Sequence, residues 1–187
     1  MTEETAADRH RRVAATFTER VRGTSGWEVP APVEGWTARD VVGHLTTWFP
    51  GFLAGAGVAL PAGPSADDDP VAAWEHQTDA VQALLDDPAS AGRTIDNPHL
   101  GTMTVAGATD MIYTNDVFMH TWDLARATGQ DDRLDPALCA ALVDGMEPME
   151  DMIRSSGQYG PRVPVPEDAD AQTRLLGFIG RDPDWKP

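Results

Sequence analysis

The 187-residue sequence has a single cysteine and fewer than half as many basic as acidic residues. One cysteine, Cys139, excludes an internal disulfide and any cysteine-rich zinc motif. Because Cys139 lies in an apolar helical pattern without a cation nearby in sequence, we expect a buried, inert thiol. The 14 basic and 30 acidic residues give a formal net charge of −16. A field of this sign repels phosphate backbones and argues against nucleic-acid binding.

Long hydrophobic runs are also missing. No stretch of the sequence approaches the roughly 20 apolar residues that a membrane span needs. Residues 1–13 are polar and charged, without the apolar centre of a signal peptide. With 41% hydrophobic and 24% charged residues, the composition is that of a globular protein. We therefore expect one cytoplasmic domain over residues 1–187, with no membrane partner.

Apolar residues recur at helical spacing in segments that glycine- and proline-rich loops separate. Pro50 and Gly51 should disturb the second of these segments, and Gly145 and Pro148 should kink the fifth. The predicted helices cover about residues 5–21, 37–49, 70–85, 106–128, 136–154 and 168–179.

Two segments depart from the helical period. Residues 94–105 predict a short two-stranded excursion or an extended lid, and residues 159–166 an extended tail, since three prolines interleave with two valines there. The predicted fold class is thus all-α: a four-helix bundle with a short β-hairpin-like excursion and a C-terminal helical tail.

The fourth predicted helix carries charged residues on a stripe that should be buried. At about 100° per residue, Asp116, His120 and Asp123 share one stripe of a helix that is apolar nearly all round. A buried Asp and His without partners would each cost a few kcal/mol. A carboxylate and an imidazole at i and i+4 point the same way, which suits two ligands of one metal ion.

A third ligand must come from another helix, and His44 is the best candidate. His44 and Trp48 share one stripe of the second predicted helix, among core residues. Asp123, three residues after His120, could accept the free ring N–H of His120 and fix its tautomer. The alternative stays open at this point: a buried Asp–His hydrogen bond with His44 as a separate core residue, because a D-x-x-x-H spacing often occurs by chance.

Three segments resemble a known family. Residues 35–45 (GWTARDVVGHL) resemble the G-W-[ST]-x-x-D-[LV]-[LV]-x-H-L motif of the DinB-like superfamily. Residues 120–129 (HTWDLARATG) resemble the H-x-W-D-L-A-R-A-x-G segment of the mycothiol-dependent maleylpyruvate isomerase N-terminal-domain branch. Residues 178–185 (FIGRDPDW) resemble the F-x-G-R-x-P-x-W ending of its stand-alone actinobacterial relatives. The resemblance therefore covers nearly the whole chain.

The resemblance implies a DinB-like bundle that binds one divalent metal ion, with zinc expected first and nickel or another metal as alternatives. His44 and His120 match the two histidine ligands of the family. Asp116 stands where the relatives usually carry Glu, which is one methylene longer, so the metal must lie nearer the helix or the carboxylate must bind through water. The isomerase also has a C-terminal thiol-binding domain, for which 187 residues leave no room, and we do not expect its isomerase activity here.

Two imidazoles and one carboxylate leave open metal positions, where water or a thiolate could bind and act as the nucleophile. The resemblance implies a small-molecule substrate and transfer of a low-molecular-weight thiol, with mycothiol as the co-substrate, or else hydrolysis. Trp48, Trp74, Tyr113 and Met119 are the predicted pocket walls.

Other interpretations remain. No general acid or base stands out, which favours a non-catalytic ligand-binding or sensing module. In a third interpretation, the protein is a structural oligomer, and the Asp–His pair is a buried contact that only stabilises the fold. A homodimer is the default expectation. His99, in the excursion, could reach over the site, although an exposed position is the expected one.

Overall fold

The computed structural model describes residues 4–97, 101–155 and 157–187. Most regular structure in these ranges is helical, and one two-stranded antiparallel sheet accompanies it. This confirms the predicted all-α class with a short β excursion. The α-helices are α1 (Ala6–Gly23), α2 (Ala38–Gly55), α3 (Pro70–Asp86), α4 (Pro88–Ala91), α5 (Val105–Ala108), α6 (Asn115–Thr128), α7 (Pro136–Met146), α8 (Glu150–Ser155) and α9 (Ala171–Phe178).

Four long helices enclose the core. Both α1 and α2 pack against α3 and against α6, so α1 lies diagonally opposite α2, and α3 diagonally opposite α6. The buried stripe of α1, which includes Val13, Phe17 and Val21 at a spacing of four residues, faces this core. This packing sets α2 directly beside α6.

A capping box fixes the start of α2. The Thr37 side chain accepts a hydrogen bond from the Asp40 backbone N–H, and the Asp40 carboxylate accepts one from the Thr37 N–H. The sequence predicts a disturbance of this helix at Pro50 and Gly51. In the structure, α2 instead continues through both residues to Gly55. Burial of Phe49 and Leu53 on either side of the proline offsets the backbone hydrogen bond that the proline removes.

The predicted excursion is a hairpin in which β1 (Thr94–Asn97) pairs with β2 (Gly101–Thr104). Its register sets Ile95 opposite Met103, and the Ile95 side chain is buried in the core. His99 lies outside the described residues.

The predicted fourth helix is continuous in the structure but not uniformly α-helical. A π-helical turn, Thr109–Thr114, joins α5 to α6. Arg9 of α1 holds this turn, because its guanidinium donates to the Asp110 backbone carbonyl at 3.0 Å and to the Asp110 carboxylate at 2.9 Å. A π turn changes the angular position of every residue after it, and Asp116 is the second residue after this turn. The helix ends at Gly129, whose φ of 68° is left-handed.

The C-terminal part folds against the same core. After α7, a 3₁₀ turn (Glu147–Met149) leads to α8, so the predicted fifth helix is interrupted near Pro148, as expected. Helix α9 packs on α7. The extended segment before it is tied to α9 by a hydrogen bond of 2.9 Å from the Val163 N–H to the Gly177 carbonyl.

Cys139 is fully buried in α7, and burial, with added effects of Asp135 and Asp170, raises the pKa of its thiol to about 12. A thiol with this pKa is unreactive at neutral pH. Among the described residues, no helix is both long and apolar enough to cross a membrane.

His10 is a buried polar residue of α1, with 1% of its surface exposed. Its Nδ1 lies 2.9 Å from Gln82 Oε1, while its Nε2 has no hydrogen-bond partner among the described residues. Burial lowers the pKa of His10 below its ordinary value, and this effect outweighs the opposite effect of Gln82.

Replacing His10 by glutamine should therefore reduce the loss of stability in mild acid. The unfolded chain protonates His10 below about pH 6.5, whereas the folded chain resists until its lower pKa is reached. The stability that neutral His10 contributes is thus complete above about pH 6.5 and is lost as the pH falls from there through the folded pKa. Urea midpoints of chelator-treated protein at pH 7 and pH 5 measure the effect. The control is the His76→Gln variant, at a partly exposed position of α3. Its urea midpoint should fall between pH 7 and pH 5 as much as that of wild type. If the urea midpoint of His10→Gln falls as much as that of wild type, His10 is not the cause of the loss of stability in mild acid.

Candidate metal centre

Three side chains from two helices meet at one side of the bundle: His44 of α2, and Asp116 and His120 of α6. His44 Nε2 lies 3.0 Å from Asp116 Oδ2, and His120 Nε2 lies 3.4 Å from Asp116 Oδ1. One nitrogen or oxygen atom from each residue lies within 4.8 Å of the others, so the group could hold a metal ion. The three predicted ligands therefore come together in space.

The exposure of the three side chains differs. That of His44 is 31% exposed, that of Asp116 19% and that of His120 only 6%. The site thus opens to solvent on the α2 side and is closed behind His120. A small molecule could reach the site beside His44.

Asp116 is the central residue of the group. Its Oδ2 accepts a hydrogen bond of 2.9 Å from the Trp48 indole N–H and also faces His44. Burial alone would raise the pKa of Asp116, but His120, His44 and Trp48 together lower it. Asp116 is therefore a carboxylate at neutral pH, in the state that a metal ligand requires.

His120 is oriented by a second carboxylate. Its Nδ1 lies 2.8 Å from Asp123 Oδ2, which leaves Nε2 directed toward Asp116. Burial lowers the pKa of His120, but Asp116 and Asp123 outweigh this effect and the net pKa is raised. This contact is compatible with the predicted role of Asp123 as acceptor of the free ring N–H of His120, and its part in metal binding stays a prediction.

Arg181 completes this chain of contacts and is not among the site residues predicted from the sequence. Its Nε donates to Asp123 Oδ1 at 2.9 Å and its terminal nitrogen to Asp123 Oδ2 at 3.0 Å. The two bonds form a bidentate pair with a carboxylate that has no exposed surface. The signal available in the sequence was the Gly-Arg pair in the ending of the chain, residues 178–185.

Aromatic rings surround the ligand residues. The Trp36 ring centroid lies 5.1 Å from that of His44 and 5.7 Å from that of His120, nearly parallel to the latter. The Trp48 ring lies 6.1 Å from His44 and 5.9 Å from Tyr113. Trp36 thus lies against both histidines of the candidate ligand group.

The four predicted pocket residues do not all lie beside the candidate ligands. Trp48 contacts Asp116 directly, and Tyr113 lies behind Trp48 with its hydroxyl donating to the Leu45 carbonyl. Met119 is buried on α6. Trp74 is not brought to the ligand residues by its described contacts, which are with α1: its ring lies 4.5 Å from Phe17 and its N–H donates to Thr18.

Tyr159 is a further polar group near the site. Burial and the Asp116 charge raise the pKa of its phenol to about 12, although Arg181 and Arg154 act in the opposite direction. Tyr159 is therefore a neutral hydroxyl within electrostatic range of Asp116 and Arg181. The proline pattern of residues 159–166 predicts an extended tail but gives no indication of this interaction.

A separate groove of about 400 Å³ lies between the extended tail and the α7–α9 pair, where Val143, Arg162 and Phe178 line it. None of the three candidate ligands lines it, and no role in the site follows from its size.

A helical bundle with a His/Asp/His group on two adjacent helices is the arrangement of a DinB-like metal-binding domain. The chain belongs to the family described as the mycothiol maleylpyruvate isomerase N-terminal domain, whose model matches residues 5–125. This match includes all three candidate ligands and Asp123, and it ends before Arg181.

Two relatives extend the comparison. Both are uncharacterized proteins of Mycobacterium tuberculosis, one from strain CDC 1551 / Oshkosh and one from strain ATCC 25618 / H37Rv. Each is 31% identical to this chain over 157 residues, which cover 81% of this chain and 83% of the relative. No solved structure was found to match the chain.

Proposed function

We propose that the chain is a metal-dependent enzyme that transfers a low-molecular-weight thiol to a small electrophile. His44, Asp116 and His120 hold one divalent ion, with zinc as the preferred metal. The observation that carries the proposal is the convergence of their ligand atoms within 4.8 Å at a partly exposed site. Mycothiol is the proposed thiol because the description of the family names it.

The donor set fits the metal. Two imidazole nitrogens and one carboxylate oxygen are the ligands of many catalytic zinc sites, which keep a further position open. When bound, the ion would act as a Lewis acid and lower the pKa of a thiol or water at that position. Asp123 holds His120 so that its Nε2 faces the ligand group, and the hydrogen bond from Trp48 holds the Asp116 carboxylate.

The electrostatics of the site favour an anionic ligand. One divalent cation and the Asp116 carboxylate leave one positive charge, while Asp123 and Arg181 neutralise each other. The chain as a whole carries a formal charge of −16, so attraction of a thiolate depends on this local field. The Trp36 ring lies against both histidines and the Trp48 ring lies 6.1 Å from His44, and such aromatic surface suits a small organic substrate.

Metal content and thiol transfer test the proposal together. Wild-type protein purified without chelators should hold one divalent ion per chain, and His44→Ala and His120→Ala should lose it. His76→Ala is the matched control, because its ring contacts the Pro61 carbonyl and not the ligand group. Consumption of mycothiol, cysteine or glutathione with a model electrophile should occur only in the metal-loaded forms. Protein that holds no metal in any form would refute the proposal.

A non-catalytic sensing module is the second candidate. It is favoured by the pairing of Asp123 with Arg181, which leaves neither group available for proton transfer. Under this alternative, metal-loaded protein shows no turnover with any thiol or with ester and amide substrates. A thiol ligand nevertheless raises its melting temperature.

A further inference from the structure

Asp123 is a buried carboxylate that two donors satisfy. It has no exposed surface, and an ionised carboxylate in such a position costs several kcal/mol unless it is paired and hydrogen-bonded. His120 Nδ1 contacts one of its oxygens, and Arg181 contacts both. The orientation of the His120 ring therefore depends on a carboxylate that Arg181 holds in place.

A hydrogen-bonded turn at the end of α9 fixes the backbone position of Arg181. At the end of α9, the Gly180 N–H binds the Gly177 carbonyl and the Arg181 N–H binds the Leu176 carbonyl at 2.8 Å. This is a Schellman motif, with Gly180 in the left-handed region at a φ of 81°. A Cβ atom at Gly180 would lie only 3.0 Å from the Gly160 backbone. Residue 180 must accordingly be small as well as left-handed.

A second arginine ties the neighbouring segment to the same turn. The Arg154 guanidinium donates to the carbonyls of Gly160 and Phe178, and so joins the extended tail to the end of α9. The position of Arg181 is thus set by contacts within the C-terminal segment, residues 157–187, and by the contacts of Arg154 with it.

We infer that Arg181 is a positioning residue of the metal centre, which fixes Asp123 by two hydrogen bonds and thereby orients His120 for metal binding. This inference rests on the proposed metal site. The C-terminal segment lies beyond the residues that the family model matches. Under this inference, it contributes to the metal centre through Arg181. Arginine suits this position because its planar fork matches both carboxylate oxygens, whereas lysine offers a single point charge.

Loss of the guanidinium should weaken metal binding without removing a ligand. Removing the direct partner of a ligand, as Asp123 is of His120, costs about 10–100-fold in metal affinity. Arg181 lies one contact further from the metal, so Arg181→Gln and Arg181→Lys should both bind Zn²⁺ more weakly than wild type by about 10-fold, at the lower end of this range. The Co²⁺-substituted variants should also show a changed visible absorption spectrum, since the His120 ring is less firmly oriented.

Arg126→Gln is the matched control. Arg126 donates to the Pro183 carbonyl at 2.6 Å and pairs with Asp132, so it fastens the same C-terminal segment without touching Asp123. The variant should bind Zn²⁺ as wild type does. If it weakens binding as much as Arg181→Gln, general packing of the segment is responsible and the inference is overturned.

A double variant guards against simple unfolding. Arg181→Gln leaves a buried carboxylate underpaired, whereas Asp123→Asn with Arg181→Gln removes both charges and should fold, as circular dichroism can verify. The folded double variant should still bind Zn²⁺ weakly. Wild-type affinity and an unchanged Co²⁺ spectrum in the Arg181 variants would overturn the role of Arg181 while leaving the metal site intact. Absence of metal binding in wild type would overturn both.

Discussion

Replacing Asp116 by asparagine should abolish tight binding of divalent metal ions. The carboxylate supplies the only negative charge among the three candidate ligands, and each of its oxygens faces one imidazole. An amide keeps the shape and can still accept the Trp48 hydrogen bond, but it loses the charge. The loss in affinity should exceed the roughly 10–100-fold expected for a partner behind a ligand, because a ligand itself is lost. Competition against a chromophoric zinc chelator at pH 7.5 measures the change.

Two further variants make this result specific. Asp110→Asn removes a carboxylate from the same helical run, where Asp110 pairs with Arg9, and it should leave metal affinity unchanged. Asp116→Glu restores the residue that the sequence resemblance implies at this position and should retain binding. If Asp116→Asn binds zinc as tightly as wild type, the alternative of a buried Asp–His hydrogen bond is correct and Asp116 is not a ligand.

The convergence of His44, Asp116 and His120 could be predicted from helix geometry and burial only in combination with the motif resemblance. The i, i+4 spacing places Asp116 and His120 on one face of any helix. Their position on an apolar stripe then requires a partner, and His44 occupies an equivalent stripe on another helix. Spacing alone could not show that the two stripes face each other, and the motif resemblance supplied that link.

The pocket could be predicted only in part. Trp48 and Trp74 both lie on apolar stripes of long helices, and periodicity treats them alike. Trp48 reaches Asp116 because α2 lies beside α6, whereas Trp74 packs on Phe17 because α3 lies diagonally opposite α6. The arrangement of helices around the core, which local patterns do not encode, decides which tryptophan meets the site.

The contribution of the C-terminal segment could not be predicted from residue spacing. Arg181 and Asp123 are separated by 58 residues, and nothing in the spacing of either segment indicates the other. Similarly, the π turn before Asp116 depends on the hydrogen bonds that Arg9 makes to Asp110 from another helix. Such contacts arise from tertiary packing and leave no periodic signal.

Replacing Asp123 by leucine should destabilise the protein by about 3–5 kcal/mol, because it leaves Arg181 largely buried and without its carboxylate. Urea unfolding in the presence of chelator, which removes any metal contribution, measures this loss. The control is Asp131→Leu. Asp131 forms the same bidentate pair with Arg133, but on the surface, and its loss should leave the free energy of unfolding nearly unchanged.

The double variant Asp123→Leu with Arg181→Met separates stability from function. Removing both charges together should recover most of the lost stability, since apolar residues often replace a buried ion pair at little cost. Metal affinity should stay low, because His120 still lacks the acceptor that orients its ring. A double variant as unstable as Asp123→Leu alone would show that the pair does not account for the loss. One that regains wild-type zinc affinity would show that Asp123 and Arg181 serve the fold and not the metal centre.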